Sequence, residues 1–271
     1  MSPPFLSVVV PAYNEGRRLP RFLERLVDLA LLPGRPPTEL LVVDDGSAAE
    51  HAAMQREAAE KAAGRLAASG RHRLRYVAAP RNQGKGAAIR LGWREADPNA
   101  AWLGFVDADG AVGAPELWRL AGMLPAAEHD VLAGARILMA GRHIERSLFR
   151  HLQGRVFATL AERALGLGFY DTQCGVKFAR APLLRPRLDD LREERWLLDV
   201  ELLALLQKDG ARCLEVPIDW ADQGESKVAF GLDALRMFRG LGRLARRVEQ
   251  LPELRQAPDE VVAERRSAGA R

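Results

Sequence analysis

Asp107 and Asp109 stand one residue apart at the end of an apolar run, residues 101–106, and Gly110 follows them. With Trp102, Leu103 and Phe105 in it, the run is expected to form a buried strand. Alternate residues of an extended chain point the same way, so both carboxylates can leave the strand end on one side. Two hard oxygen donors at a strand's carboxyl end suit Mg²⁺ or Mn²⁺ carrying a substrate phosphate. Taken alone, an Asp-x-Asp reads more readily as a loop with solvated or capping aspartates. A second acidic strand end, Asp44-Asp45-Gly46-Ser47, lies upstream, and the two together point to a site.

Elements able to position these ends are visible on either side. Residues 5–10 are a short apolar, β-branched run that Pro11 is expected to stop, and 13–16 read as a loop. Leu19, Phe22, Leu23, Leu26 and Leu29 recur at helical spacing, and Pro33-Gly34-Arg35-Pro36-Pro37 breaks that helix. A strand at 39–43, an Ala/Glu/Lys-rich helix at 48–68, a strand at 74–78, a loop at 82–86 and a helix at 87–96 lead to the strand ending at Asp107. This alternation predicts an α/β fold, with a mostly parallel sheet flanked by helices on both faces. Ligands of such sheets lie beyond the carboxyl ends of the strands. Residues 11–15, 44–47, 84–86 and 107–109 all fall at or near that edge.

Beyond Pro115 the pattern is less regular. A strand is expected at 131–137, ending at Arg136, a helix at 145–165 and a strand at 214–218. On the 145–165 helix, Phe149, Leu152, Val156 and Leu160 form one stripe. A second amphipathic helix at 232–248 carries Arg236, Arg239, Arg243, Arg246 and Arg247 opposite Met237, Leu241, Leu244 and Val248. Either helix can pack on the domain or dock on anionic lipid; the one-sided arginines of the second favour lipid. The domain division is therefore 1–230 for the α/β unit, 231–257 for a membrane-associating helix and 258–271 for a polar, disordered tail.

The totals bound the class. At 271 residues, 48% hydrophobic and 28% charged, the chain is a soluble globular protein with a sizeable core. Its net charge of +4 is a mild basic bias, and at 6% aromatic it lacks the basic stripe and aromatic platforms of a nucleic-acid protein. Cys174 and Cys213 cannot build a disulfide framework and are expected to be reduced thiols. No signal peptide and no apolar run of ~18 residues is visible. These features place the protein in the cytoplasm, with any membrane contact peripheral.

The quoted segments together resemble a family. Val8-Val9-Val10-Pro11-Ala12-Tyr13-Asn14-Glu15, Val42-Val43-Asp44-Asp45-Gly46-Ser47 and Asp107-Ala108-Asp109 are similar to glycosyltransferase family 2, of the GT-A fold. Asn82-Gln83-Gly84-Lys85-Gly86, Asp171-Thr172-Gln173-Cys174-Gly175, Arg195-Trp196 with Asp199-Val200-Glu201, and Gly224-Glu225-Ser226-Lys227 resemble its dolichyl-phosphate β-glucosyltransferase branch. The resemblance runs from about residue 5 to about residue 230. It implies an inverting, metal-dependent enzyme that moves a hexose, glucose from UDP-glucose, onto a polyprenyl or dolichyl phosphate at the cytoplasmic membrane face.

By the same resemblance Pro11, Ala12, Tyr13, Glu15, Asp44 and Asp45 hold the donor nucleotide together with Ala108. Asp107 contacts ribose or metal, and Asp109 ligates Mg²⁺ or Mn²⁺. Mannosyl-transferring relatives often carry glutamine two positions after the metal aspartate; Ala111 stands there, which weakens the alternative of a GDP-mannose enzyme. Lys85, beside glycines at a helix start, is placed to hold the pyrophosphate or is an exposed turn lysine. A prenyl phosphate arrives ionised, with a second pKa of ~6, and needs a positive cradle. Arg136, Arg146, Arg150, Ser226 and Lys227 are the candidates. Asp199 is the candidate base, or else it orients Arg195 or Trp196. Gln173 and Cys174 line the sugar pocket, Cys174 without a nucleophilic role. Three rivals stay open: a relative acting on a soluble hydroxyl acceptor, a nucleotidyltransferase without the expected loop, and a non-catalytic lipid-binding module.

Overall fold

The computed structural model describes residues 4–145, 148–221 and 232–254, with only the helical backbone described for 148–151 and 232–239. In chain order the elements are β1 Leu6–Ala12, α1 Leu19–Ala30, β2 Thr38–Asp44, α2 Ala49–Ala67, β3 Arg73–Ala78, α3 Lys85–Glu95, β4 Trp102–Val106 and α4 Ala114–Met123. Then come β5 Val131–Ala135, β6 Ile144–Glu145, α5 Leu148–Leu165, β7 Val176–Arg180, α6 Ala181–Leu184, α7 Leu198–Lys208, β8 Cys213–Pro217, β9 Trp220–Ala221 and α8 Leu232–Gln250.

Seven strands form one sheet in the order β3-β2-β1-β4-β7-β5-β8, and β6 pairs with β9 in a short second sheet. β1 runs parallel to β2 and β4, while β7 is antiparallel to both β4 and β5. The mostly parallel, helix-flanked architecture matches the sequence expectation. β1 does not stop before Pro11, however. Ala12 O points to β2, where it accepts Asp45 N at 2.9 Å. Pro11 therefore faces the β4 side, and pairing there ends at Val9 with Phe105. The missing proline N–H falls where the sheet needs none.

The sheet separates two cores. Leu6, Val8 and Val10 pack with α1, α2 and α4; Val9, Leu41, Val43 and Phe105 pack with α3, α7 and α8. Alternation along β1 sends successive valines to opposite faces. α7 is apolar on nearly every side and almost wholly buried, as such a helix must be. Neither α7 nor β7 was anticipated from the sequence. β5 ends at Ala135 rather than 137, because Arg136 leaves the ladder for a side-chain partner. α5 starts at Leu148 rather than 145, since Ile144 and Glu145 pair with β9.

α8 places Leu241, Leu244 and Val248 in the core at 3%, 1% and 8% exposure. The described part of its apolar face is thus spent on the domain. Arg243 and Arg246 are exposed, whereas Arg247 pairs with Glu201 of α7. The tail 258–271 lies outside the described residues.

Candidate active site

The carboxyl ends of β1, β2 and β4 open on one edge of the sheet. Between β1 and β4 the strand order reverses, and at such a switch point neighbouring loops diverge and leave a crevice. β7 runs the opposite way, so its starting loop, Asp171 to Gly175, returns to that edge. Gly175 O accepts the Asp107 amide at 2.9 Å and locks the two segments together. A Cβ on residue 175 would lie 2.3 Å from Asp107 Oδ2, which is why a glycine sits there.

Around Asp107 the charges alternate. Lys85, at the start of α3, brings Nζ 2.7 Å from Asp107 Oδ1 and 3.7 Å from Asp199 Oδ2. Asp199, in the first turn of α7, receives Lys177 Nζ on Oδ1 at 2.6 Å. So Asp199 orients neither Arg195 nor Trp196: both its oxygens face ammonium groups. Burial pushes the Asp107 carboxyl up to about 6 against the pull of Lys85. Burial also works against the Lys85 ammonium, but Asp107 and Asp199 outweigh it and hold its pKa above the ordinary lysine value. Lys177 was missed in the sequence, and its signal was a lone lysine inside the apolar run 176–179.

The residues expected on the donor side are held by internal bonds. Asp45 is buried; its carboxylate accepts Asn82 Nδ2 at 2.8 Å, Gln83 N at 2.9 Å and Gly84 N at 2.7 Å. It therefore shapes the 82–86 loop that starts α3. Asp44 accepts Ser47 N and the Tyr76 hydroxyl, at 2.9 and 2.6 Å. Glu15 is gripped by Arg18 through Nε and Nη2 at 2.7 and 2.6 Å. Asn14, in the left-handed region at φ 54°, donates its amide to Ser47 Oγ and accepts Ala48 N. These bonds latch the loop after β1, with Pro11 and Ala12, to the loop after β2. Tyr13 stands out from it, 40% exposed.

On the other flank Arg136 is clamped by Asp171, through Nε at 2.6 Å and Nη2 at 2.8 Å, and lies 5.5 Å from the Trp220 ring. Burial opposes the Asp171 charge, yet Arg136 holds its carboxyl well below the usual range. Gln173 is half-buried and donates to Trp196 O at 3.5 Å. Cys174 is fully buried, and burial pushes its thiol up to about 12, so it is inert. Both cysteines are free thiols. Arg146, Ser226 and Lys227, and the side chain of Arg150, lie outside the described residues.

Among the described residues no group of three or more His, Cys, Asp or Glu side chains converges as a metal cage. Asp107 and Asp109 supply two carboxylates just past the end of β4. Asp109 Oδ1 accepts the Ala111 amide at 2.9 Å, and its other oxygen takes no hydrogen bond from the described residues. One open carboxylate oxygen beside a second carboxylate fits a hard divalent cation that draws its remaining ligands from water and phosphate.

Four large apolar side chains beyond β5 are exposed. Leu138 and Met139, in the segment that leaves β5 at its carboxyl end, are 76% and 49% exposed; Leu152 and Val156 on α5 are 63% and 49% exposed. No helix among the described residues is long and apolar enough to cross a membrane.

Residues 7–184 match the family described as Glycosyl transferase family 2. A dolichyl-phosphate beta-glucosyltransferase of Drosophila melanogaster is 34% identical over 248 residues, covering 87% of this chain and 73% of that protein. Its Homo sapiens counterpart is 33% identical over 233 residues, covering 82% and 69%. Among solved structures, the glucosyl-3-phosphoglycerate synthase of Mycobacterium tuberculosis, in complex with Mn²⁺, UDP and glucosyl-3-phosphoglycerate, aligns with a TM-score of 0.60. That alignment covers 93% of this chain and 82% of the other at 19% identity, and shows a shared fold.

Proposed function

The chain belongs to glycosyltransferase family 2 and is a glycosyltransferase, and we propose that it transfers glucose from UDP-glucose to a polyprenyl or dolichyl phosphate, with inversion. Relatives named for that acceptor and that sugar support the reading. The Mn²⁺ and UDP bound by the structural relative support the donor and a divalent cation. Ala111, in place of the glutamine of mannosyl enzymes, favours a glucosyl over a GDP-mannose reaction.

One observation carries the acceptor assignment. Both oxygens of Asp199 face lysine ammonium groups, at 2.6 and 3.7 Å. A carboxylate neutralised twice is a poor general base, and a hydroxyl acceptor needs one. A phosphate monoester needs none, because it arrives ionised. Its oxygen attacks the anomeric carbon in line, opposite the departing diphosphate.

In this reading Tyr13 faces the nucleoside from the latched loops, and Asp45 keeps the 82–86 loop open to the diphosphate. Lys85 puts its ammonium beside the leaving group. Asp107 and Asp109 are the residues that would hold Mg²⁺ or Mn²⁺, which supplies Lewis-acid neutralisation of the diphosphate when bound. Arg136, with two nitrogens taken by Asp171, offers Nη1 to the acceptor phosphate; the family resemblance adds Arg150, Ser226 and Lys227 as candidates for the same role. Lipid contact is through the exposed Leu138, Met139, Leu152 and Val156. The exposed α8 arginines add attraction of ~1 kcal/mol each to an anionic surface. In this reading the enzyme works at the cytoplasmic membrane face as a peripheral protein.

A thermal-shift panel of UDP- and GDP-sugars with Mn²⁺, followed by transfer assays on prenyl phosphate and on soluble hydroxyl acceptors, tests the reading. A ligand of the native state raises the melting temperature. UDP-glucose is expected to give the largest rise, and Asp109→Asn to keep the fold and lose most turnover. Preference for GDP-mannose, or transfer to a soluble hydroxyl as fast as to any prenyl phosphate, overturns it.

A further inference from the structure

We propose that Lys177 is a positioning residue of the transfer reaction: it holds Asp199 and, through Asp199, sets where the Lys85 ammonium stands. This rests on the donor reading above, in which the diphosphate lies beside Asp107 and Asp109.

Lys177 sits on β7 directly across from Phe105 of β4. Its side chain is 1% exposed. A buried ammonium is tolerated only when its donors are satisfied. Here Nζ gives one bond to Cys174 O at 2.8 Å and one to Asp199 Oδ1 at 2.6 Å. The far oxygen of Asp199 then faces Lys85 at 3.7 Å, and Lys85 reaches Asp107 at 2.7 Å. Lys177, Asp199, Lys85 and Asp107 thus form one row of alternating sign. The Phe105 ring lies beneath both ammonium groups, 5.1 Å from Lys85 and 5.6 Å from Lys177. The Trp196 ring flanks Lys85 at 5.7 Å.

Strand packing does not ask for this lysine. Its neighbours Val176, Phe178 and Ala179 are buried and apolar, and a buried ion pair is often replaceable by apolar side chains at no loss of stability. What the lysine changes is the charge that Lys85 feels. With Lys177 in place, Asp199 is already neutralised on one side, and Lys85 stays shared with Asp107. Without it, Asp199 would keep a buried charge with Lys85 as its remaining cation. Lys85 is a point charge on a flexible four-carbon stem; it would swing towards Asp199 and away from the diphosphate.

The test is a double-mutant cycle on UDP binding, measured by calorimetry with Mn²⁺ on the full chain carrying Lys85→Met, Lys177→Met or both. Lys85→Met is expected to weaken UDP about tenfold, the worth of one charge-assisted hydrogen bond. Lys177→Met should weaken it severalfold. The double variant should bind no worse than Lys85→Met, since Lys177 acts only through Lys85. If Lys177→Met fails to fold alone, Lys177→Met with Asp199→Asn removes both buried charges and with them the pull on Lys85, which keeps Asp107; that variant should bind UDP as wild type does, and a loss of affinity in it overturns the proposal. Additive losses overturn the proposal, as does wild-type UDP affinity in folded Lys177→Met. Wild-type affinity in Lys85→Met would instead sink the donor reading itself, so the two failures are distinguishable.

Discussion

Gly175→Ala introduces one methyl group and nothing else. Its Cβ would stand 2.3 Å from Asp107 Oδ2, about 1.1 Å inside the 3.4 Å at which ordinary contact begins. The backbone cannot back away cheaply, because Gly175 O holds the Asp107 amide at 2.9 Å. The carboxylate, at the free end of a side chain, must swing by about an ångström. It then leaves both Lys85 and its partner carboxylate Asp109. A displacement of about 1 Å at a reacting centre costs ~10²-fold. Transfer from UDP-glucose to a short-chain prenyl phosphate should therefore fall ~10²-fold in kcat/KM. The melting temperature should barely move, since the core is untouched. Gly168→Ala is the control, with nothing within 4 Å of the added Cβ. Near-normal kcat/KM in folded Gly175→Ala would show that the position of Asp107 does not matter to the reaction.

Three further outcomes can be checked directly. Leu152→Gln with Val156→Gln should cut sedimentation with anionic liposomes at any salt while UDP affinity stays normal; Arg243→Gln with Arg246→Gln should do so only at low salt, where ~1 kcal/mol per arginine is unscreened. Wild-type binding by all these variants would remove both α5 and α8 from the proposed membrane contact. Arg247→Ala leaves Glu201 buried with the Arg192 and Glu193 amides as donors, so denaturant titration should show a loss of about 1–3 kcal/mol; no loss would mean that the pair is not formed in solution. Asp171 has its folded pKa held below the unfolded value by Arg136, so its stabilisation is full above about pH 4 and fades only as the pH falls towards the folded value. The stability gap between wild type and Asp171→Asn should thus be flat from neutral pH down to about 4 and shrink in stronger acid, and a gap that shrinks already near pH 6 would contradict this.

Much of the proposed donor side was readable without coordinates. Apolar runs ended by acidic or glycine residues mark strand ends, and the alternation of strand and helix places those ends on one edge. Asp44, Asp45, Asp107 and Asp109 therefore came from local pattern alone. So did α1, whose five spaced apolar residues could belong to nothing else. α8 shows where local pattern stops. Its arginine face and apolar face were both visible, but amphipathicity does not say what the apolar face meets. The fold puts Leu241, Leu244 and Val248 into the core and leaves Leu152 and Val156 of α5 outside, the reverse of the weighting the arginines suggested.

Pairing was beyond the sequence. Whether Asp199 acts as a base or a strut depends on which charges surround it, and its partners Lys85 and Lys177 come from α3 and β7. β7 itself carries a weak signal, since its antiparallel insertion between β4 and β5 is satisfied on both sides by hydrogen bonds that residue type does not encode. Spacing along the chain determined which side chains could reach the crevice, because strand and helix periods are properties of the local backbone. Which carboxylate meets which ammonium was decided only when distant segments packed. Where side chains are as buried as Lys177 and Asp199, each charge must find its counter-charge across the fold rather than in the solvent.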